Sequence, residues 1–73
     1  MQTFKVGEVV KTKLYGEKVF GKIVEVKTIY NFGKLYTIYA IVLIGLNSIY
    51  WVCDIDIVRK LLKQEELIVY LLV

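Results

Sequence analysis

The feature that most constrains this chain is an uncharged run over residues 35–53, long enough to cross a bilayer as a helix. Gly45, Asn47 and Ser48 interrupt the run, and these residue types together favour a turn. The part before the turn is dense in β-branched and aromatic side chains, which are typical of strands. The run therefore predicts two strands folded back on each other, with a single membrane span as the least favoured alternative.

Alternation of apolar and polar residues predicts two earlier strands, over residues 6–14 and 19–30. A glycine-containing turn follows each of them. Because successive side chains of a strand point to opposite faces, the alternation assigns Lys22 to one side of the second strand and Lys27 to the other.

The pattern changes after Cys53. Asp54 or Asp56 is placed to cap a helix. Its apolar face would be formed by Ile57, Val58, Leu61 and Leu62. Residues 67–73 are apolar without interruption and are too few to cross a bilayer as a helix. Exposed, they would be a template for aggregation, so we expect a terminal strand that pairs within the fold or with a second copy.

These elements predict one domain over residues 1–73 that is mainly β. We expect a small antiparallel barrel of four to five strands with a short C-terminal helix and a terminal strand. An open sheet covered by the helix is the alternative. A chain of 73 residues is long enough for one small core of this kind.

The N-terminal half carries a spaced pattern of glycines and valines. It comprises Val6-Gly7-Glu8-Val9-Val10, then Gly16, then Gly21-Lys22-Ile23-Val24-Glu25-Val26. The pattern resembles the KOW, Tudor and related SH3-like small β-barrels, over residues 6–58. The resemblance implies a short helical turn near residues 54–57 and leaves residues 59–73 as an extension outside the family pattern. Members of this superfamily bind nucleic acid, methylated or proline-rich peptides, or other proteins, and the fold alone does not choose among them.

The whole chain has a formal net charge of +3, and its positive charge is concentrated in the first half. Lysines neutralise phosphates and aromatic rings stack on bases. We therefore predict a site for DNA or RNA on the first hairpin and a nearby tryptophan: Lys11, Lys13, Tyr15, Lys18, Lys22 and Trp51. The competing interpretations are a solvated lysine face and a Trp51 buried in the core.

A cage for a cationic side chain is the second candidate site. It would use the rings of Tyr15, Tyr50 and Trp51, which attract cations. Glu17 or Asp54 would be its acidic partner. Packing in the core would explain the same aromatic residues.

Catalysis is not expected. The chain has no histidine and a single cysteine, Cys53, which excludes serine and cysteine triads, histidine-bound metals and disulfide frameworks. Asp54 and Asp56 would share one side of a strand, but two carboxylates hold a cation weakly, and helix capping accounts for both. We predict no cofactor and no metal, and the lone cysteine fits the reducing cytoplasm.

The apolar content exceeds what one small barrel hides, since 58% of the residues are hydrophobic. We therefore predict a homo-oligomer, most simply a two-fold dimer. Its interface would contain Leu67, Ile68, Val69, Tyr70 and Leu71. The function predicted is a non-enzymatic module that binds nucleic acid and self-associates. A protein–protein adaptor or structural assembly subunit is the alternative.

Overall fold

A computed structural model describes residues 4–72 as five antiparallel strands in one sheet, followed by a helix. The elements are β1 (Val9–Leu14), β2 (Glu17–Asn31), β3 (Lys34–Leu43), β4 (Ile49–Cys53), a 3₁₀ turn (Asp54–Asp56), β5 (Ile57–Lys60) and α1 (Lys63–Leu72). The strand order is β4-β3-β2-β1-β5. The sheet is open between its two outer strands, so the fold is mainly β as predicted, but closure into a barrel is not seen in the described part of the chain.

The uncharged run folds back as predicted. Its two halves are β3 and β4, which pair antiparallel from Ile38 opposite Cys53 to Val42 opposite Ile49. A turn at residues 44–45 and a short loop join them. None of the helices formed by residues 4–72 is long and apolar enough to cross a membrane.

Both long hairpins close through a two-residue loop with an aromatic residue followed by glycine. Tyr15 and Gly16 join β1 to β2, with φ of 51° and 81°. Phe32 and Gly33 join β2 to β3, with φ of 50° and 74°. Positive φ at both positions is the type I′ geometry that matches the twist of a hairpin. Asparagine and aspartate are the usual residues at the first position of this turn. Tyr15 and Phe32 therefore adopt a backbone conformation that is unfavourable for bulky side chains.

The core lies on one face of the sheet, here called the inner face. Ile23, Ile41 and Val52 meet there with other buried apolar residues. The Phe4 and Tyr39 rings pack edge to face, 5.7 Å between centres. The buried Thr12 hydroxyl donates a hydrogen bond of 3.0 Å to the Asp56 carbonyl oxygen, which ties β1 to the 3₁₀ turn.

A β-bulge at Val24 changes which side chains share a face. Ile23 pairs with Ile41, and the next pair along the ladder is Glu25 with Ala40, so Val24 is an extra residue. Side chains after the bulge are therefore on the opposite face from the one that simple alternation assigns. The prediction that Lys22 and Lys27 lie on opposite faces is wrong: Lys22 pairs with Val42 and Lys27 with Ile38, and both belong to the outer face.

The far end of the β2–β3 hairpin extends beyond the rest of the sheet. β1 begins at Val9, opposite Lys22, and β4 ends at Cys53, opposite Ile38. Residues 28–37, here called the arm, therefore form a two-stranded ribbon, with no strand from residues 4–72 beside it on either side. The arm contributes to the elongated shape of the molecule, which measures 43 × 21 × 20 Å.

The predicted order of the C-terminal elements is wrong in two places. Residues 57–60 form β5, paired with β1, where the spacing predicted a helix. The helix instead spans Lys63–Leu72 and includes most of residues 67–73, for which a terminal strand was predicted. Val73 lies outside the described residues. The physical reason is Glu65. Its carboxylate accepts the Leu62 backbone N–H at 3.1 Å, as in a capping box, and acidic residues in the first turn favour the helix dipole.

The start of α1 is fastened to the sheet. The Leu61 backbone N–H donates to the Val9 carbonyl oxygen at 2.9 Å, and the Leu61 side chain is buried. Phe20 of β2 lines a cavity of about 250 Å³ together with Ile68 and Val69 of the helix. Because Phe20 pairs with Lys11, these contacts place α1 over the outer face of β1 and β2.

Candidate nucleic-acid interface

Six lysines of the first half share the outer face of the sheet. Lys13 lies directly opposite Lys18, and Lys11 lies on the same face two residues earlier. The bulge then adds Lys27, and the alternation along β3 puts Lys34 on the same face. The full set, here called the basic face, is Lys11, Lys13, Lys18, Lys22, Lys27 and Lys34. Three of the four predicted lysines are exposed and Lys11 is half-buried.

Few acidic side chains oppose this charge. Between the start of β1 and the end of β4 the acidic residues are Glu17 and Glu25, and only Glu25 falls on the outer face by its register. The Glu25 carboxylate is 3.9 Å from the Lys27 ammonium group, and both side chains are more than half exposed. A pair this open to water is weak, so the basic face keeps a strong positive field.

Trp51 lies on the same face, in the row that contains Ala40 and Glu25. Its side chain is 45% exposed, so the interpretation that placed it in the core is not supported. The small side chain of Ala40 is buried beside it. Lys27 Nζ lies over the ring, which leaves Trp51 both positioned and accessible.

Tyr36 is a residue of this face that the sequence analysis missed. It pairs with Ile29 on the arm and belongs to the outer face with Lys27 and Lys34. The signal that could have found it was the alternation along β3, which puts Tyr36 on the same side as Ala40. Two further features were needed to place Tyr36 in the site. The register of β3 with β4 puts Trp51 on the same side of the sheet, and the bulge in β2 puts Lys27 there.

The end of the basic face that carries Lys11 also carries an ion pair between β5 and the helix. Arg59 of β5 pairs with Lys11, and its guanidinium makes two hydrogen bonds to the Glu65 carboxylate, of 2.8 and 2.6 Å. Hydrogen bonds from Arg59 and from the Leu62 N–H, with a smaller effect of Lys11, lower the pKa of Glu65 from 4.5 to about 2. Because Arg59 takes up the single negative charge of Glu65, the charge of Lys11 still adds to the basic face.

The predicted cage residues meet in an open groove of about 530 Å³ between the first hairpin loop and β4. Tyr15, Tyr50 and Trp51 all line it, and the first two pack edge to face with 6.4 Å between ring centres. The acidic residue in the groove is Asp56; neither Glu17 nor Asp54 lines it. Lys13 lines it as well, and its ammonium charge works against a cationic ligand.

The remaining aspartate prediction concerns Asp54 and Asp56. Both lie in the 3₁₀ turn, whose capping residue is Cys53, and no side chain caps this turn. The expectation that one of them caps a following helix is therefore wrong, because β5 follows directly. Within residues 4–72 no three metal-binding side chains of the histidine, cysteine or carboxylate type gather into a cluster.

The predicted interface residues at the end of the chain lie on α1. Ile68 and Val69 line cavities between the helix and the sheet. Leu67, Tyr70 and Leu71, spaced three and four residues apart, form an exposed stripe on the helix. Their exposure agrees with the expectation of surplus apolar surface, although they are presented by a helix and not by a strand.

Comparison with protein families, characterised proteins and solved structures gave no match to this chain.

Proposed function

We propose that this protein is a non-enzymatic module that binds nucleic acid along the basic face of its sheet. The observation that carries the proposal is the common face of the six lysines, brought together by the hairpin registers and the Val24 bulge. Lysines at this density follow a phosphate backbone and release its counterions, which is the main source of affinity in sequence-tolerant binding.

The aromatic residues on the same face favour a single strand as the ligand. Trp51 and Tyr36 present partly exposed rings among the lysines. Rings of this kind stack on unpaired bases, and the combination of stacking with a basic track is typical of proteins that bind single-stranded DNA or RNA. Tyr15, in its exposed loop beside Lys13, would extend the track at one end.

The same proposal includes the SH3-like barrel as the fold. It is supported by the sequence resemblance and by the 3₁₀ turn at Asp54–Asp56, which falls between the fourth and fifth strands, where the resemblance implies a short helical turn. Strand β5 pairs with β1 and so continues the sheet around the core.

A titration with fluorescein-labelled oligo(dT) and oligo(rU) tests the function. We expect anisotropy to rise on binding and the affinity to fall steeply between about 50 and 200 mM salt. The double substitution Lys22→Gln/Lys27→Gln should make the slope of log K against log salt shallower by about 1.4, because two single-strand phosphate contacts are lost.

The matched control is Lys5→Gln/Lys63→Gln, which removes the same charge from an exposed loop and from the start of α1. It should leave the slope nearly unchanged. Equal losses in both double variants would mean that only net charge matters. Absence of binding at the lowest salt would favour the protein–protein adaptor instead.

A further inference from the structure

Within residues 4–72, two apolar surfaces are left uncovered by the fold. One is the inner face of the arm, which continues the core face of the sheet outward. The other is the exposed stripe of α1 formed by Leu67, Tyr70 and Leu71.

The arm surface is formed by apolar and uncharged side chains. Tyr30 pairs with Leu35 on the inner face, and their side chains are 73% and 71% exposed; Phe32 at the tip is 90% exposed. Thr28 and Thr37 lie between this pair and the core. An isolated two-stranded ribbon is marginally stable in water, so an arm with this surface gains stability from a cover.

The helix stripe has the complementary shape. Leu67 and Leu71 are 65% and 84% exposed and lie one helical turn apart. A helix of this length is about 15 Å long, and the inner side of the hairpin from Val26 to Phe32 extends about 20 Å. A helix laid on the apolar face of a sheet is a standard packing layer, and residues 67–71 of the helix carry no charge.

The helix cannot cover the arm of its own chain. Val69 lies beside Lys18 and Leu46, near the beginning of β2, whereas Tyr30 lies near the end of that strand. The ten residue-to-residue steps from Phe20 to Tyr30 span about 33 Å in extended conformation. The uncovered stripe of one copy can reach an arm only on another copy.

We propose that two copies of this chain form a two-fold dimer in which the arm of each copy lies on α1 of the other. A two-fold axis makes both contacts at once, and it covers both apolar surfaces in each chain with a single interface. Tyr30 and Phe32 alone expose on the order of 300 Å², given the size of aromatic side chains. With Leu35 and the helix stripe added, each copy buries an area that approaches the ~800 Å² per partner of a stable complex.

On the arm, the dimer contact and the basic face use different sides. Lys34, and Lys27 just before the arm, lie on the opposite side of the ribbon from Tyr30 and Leu35. The dimer contact uses apolar side chains and the nucleic-acid contact uses lysines and outer-face rings, so either proposal can fail without the other.

Sedimentation of the full chain tests the dimer. We expect a dimer for the wild type at micromolar concentration, and monomers for Tyr30→Ser/Leu35→Ser and for Leu67→Ser/Leu71→Ser. The control Ile55→Ser removes an exposed apolar side chain of the 3₁₀ turn and should leave the dimer intact. Far-UV circular dichroism checks that each variant is folded. A monomeric wild type, or a dimer that survives both double substitutions, overturns the proposal.

Mixing separates this arrangement from other dimers. An equimolar mixture of the arm variant and the helix variant retains one intact contact, so heterodimers should form although neither variant dimerises alone. In a Cys53→Ser background, Leu35→Cys mixed with Leu67→Cys should give disulfide-linked heterodimers on mild oxidation. Predominant Leu35→Cys homodimers would show that the arms pair with each other and would overturn the reciprocal contact.

Discussion

Lys27 Nζ lies 5.1 Å from the centre of the Trp51 ring, across the intervening strand β3. The contact joins the arm strand β2 to the edge strand β4 and places a cation and a π face side by side on the outer surface. A cation–π contact at a partly exposed site is worth about 0.5–1 kcal/mol. An energy of this size is enough to favour one orientation of the Trp51 ring. It is also small enough for a nucleic-acid base to displace Lys27 from the face of the ring.

Trp51 should contribute to binding through its ring. We expect Trp51→Ala to reduce the affinity for oligo(dT) by about 1–3 kcal/mol, the usual contribution of one base–aromatic stack. Trp51→Phe keeps an aromatic face and should lose clearly less. Anisotropy titrations at fixed salt measure both variants, and an unchanged affinity for Trp51→Ala would remove the ring from the site.

The Arg59–Glu65 pair should make stability depend on pH in the acid range. The pKa of Glu65 is about 2 in the folded chain and 4.5 without its partners, so the folded state holds the charged form more strongly. Its contribution is complete above about pH 4.5 and is lost as the pH falls toward 2. Thermal unfolding followed across this window should show a steeper decline for the wild type than for Glu65→Gln.

The comparison needs a control because Glu8 also titrates below its usual range. A hydrogen bond from Lys60, supported by the Lys5 backbone N–H, lowers the pKa of Glu8. Both the wild type and Glu65→Gln retain that effect, so their difference isolates Glu65. Glu66→Gln, one residue along in the same turn, should follow the wild-type curve; parallel curves for all three would exclude a role for the pair.

Gly21 should tolerate no side chain. A Cβ there would lie 3.1 Å from Ile41 Cδ1 and 3.3 Å from the Val42 carbonyl oxygen, and Ile41 is fully buried. Overpacking of this kind costs about 1–3 kcal/mol, which exceeds the backbone-entropy gain of about 0.4–1 kcal/mol from replacing glycine. We expect Gly21→Ala to lower the free energy of unfolding by about 1 kcal/mol in urea titrations.

The contact with Ile41 can be isolated by a double-mutant cycle. Ile41→Val removes the Cδ1 methyl group, so Gly21→Ala should cost less in that background. Equal costs in both backgrounds would assign the effect to the Ile41 Cβ and the Val42 carbonyl oxygen, which the substitution leaves in place.

Replacing Phe32 by asparagine should stabilise the hairpin. Its backbone φ of 50° is in the left-handed region, which costs an ordinary residue about 1–2 kcal/mol and asparagine less. We therefore expect Phe32→Asn to raise the free energy of unfolding of a monomeric background, such as Leu67→Ser/Leu71→Ser, by up to about 1 kcal/mol. Phe32→Ala removes the same ring without relieving the backbone and should give no gain. Equal gains in both variants would trace the effect to the ring.

Local chemistry allowed the turns and the first four strands to be predicted. The fold-back near Gly45 and the two glycine-containing loops depend on residues that are adjacent in sequence, and each was placed correctly. The bulge at Val24 could not be predicted this way, because it is fixed by the pairing of Glu25 with Ala40 on another strand. For that reason the sequence indicated a basic hairpin but not the larger basic face.

The C-terminal errors have a different cause. Ile57 and Val58, with Leu61 and Leu62, fit a helical spacing, but the free edge of β1 offers backbone hydrogen bonds that a strand satisfies. Glu65 then lies in the first turn of α1, where an acidic side chain favours the helix dipole. Both errors have the same origin: the pairing of β5 with β1 is a long-range contact, and the spacing of apolar residues gives no information about it.

The arm presents Lys34 and Tyr36 on one side and Tyr30 and Leu35 on the other, and a thin ribbon exposes both sides to solution together. A strand bound on the first side of the arm leaves the second side open for a partner chain. A pair of chains joined by contacts between the arm of each and α1 of the other would offer one polymer two tracks held at a fixed distance. The second track would then engage at a high effective concentration, and avidity would exceed what either copy achieves alone.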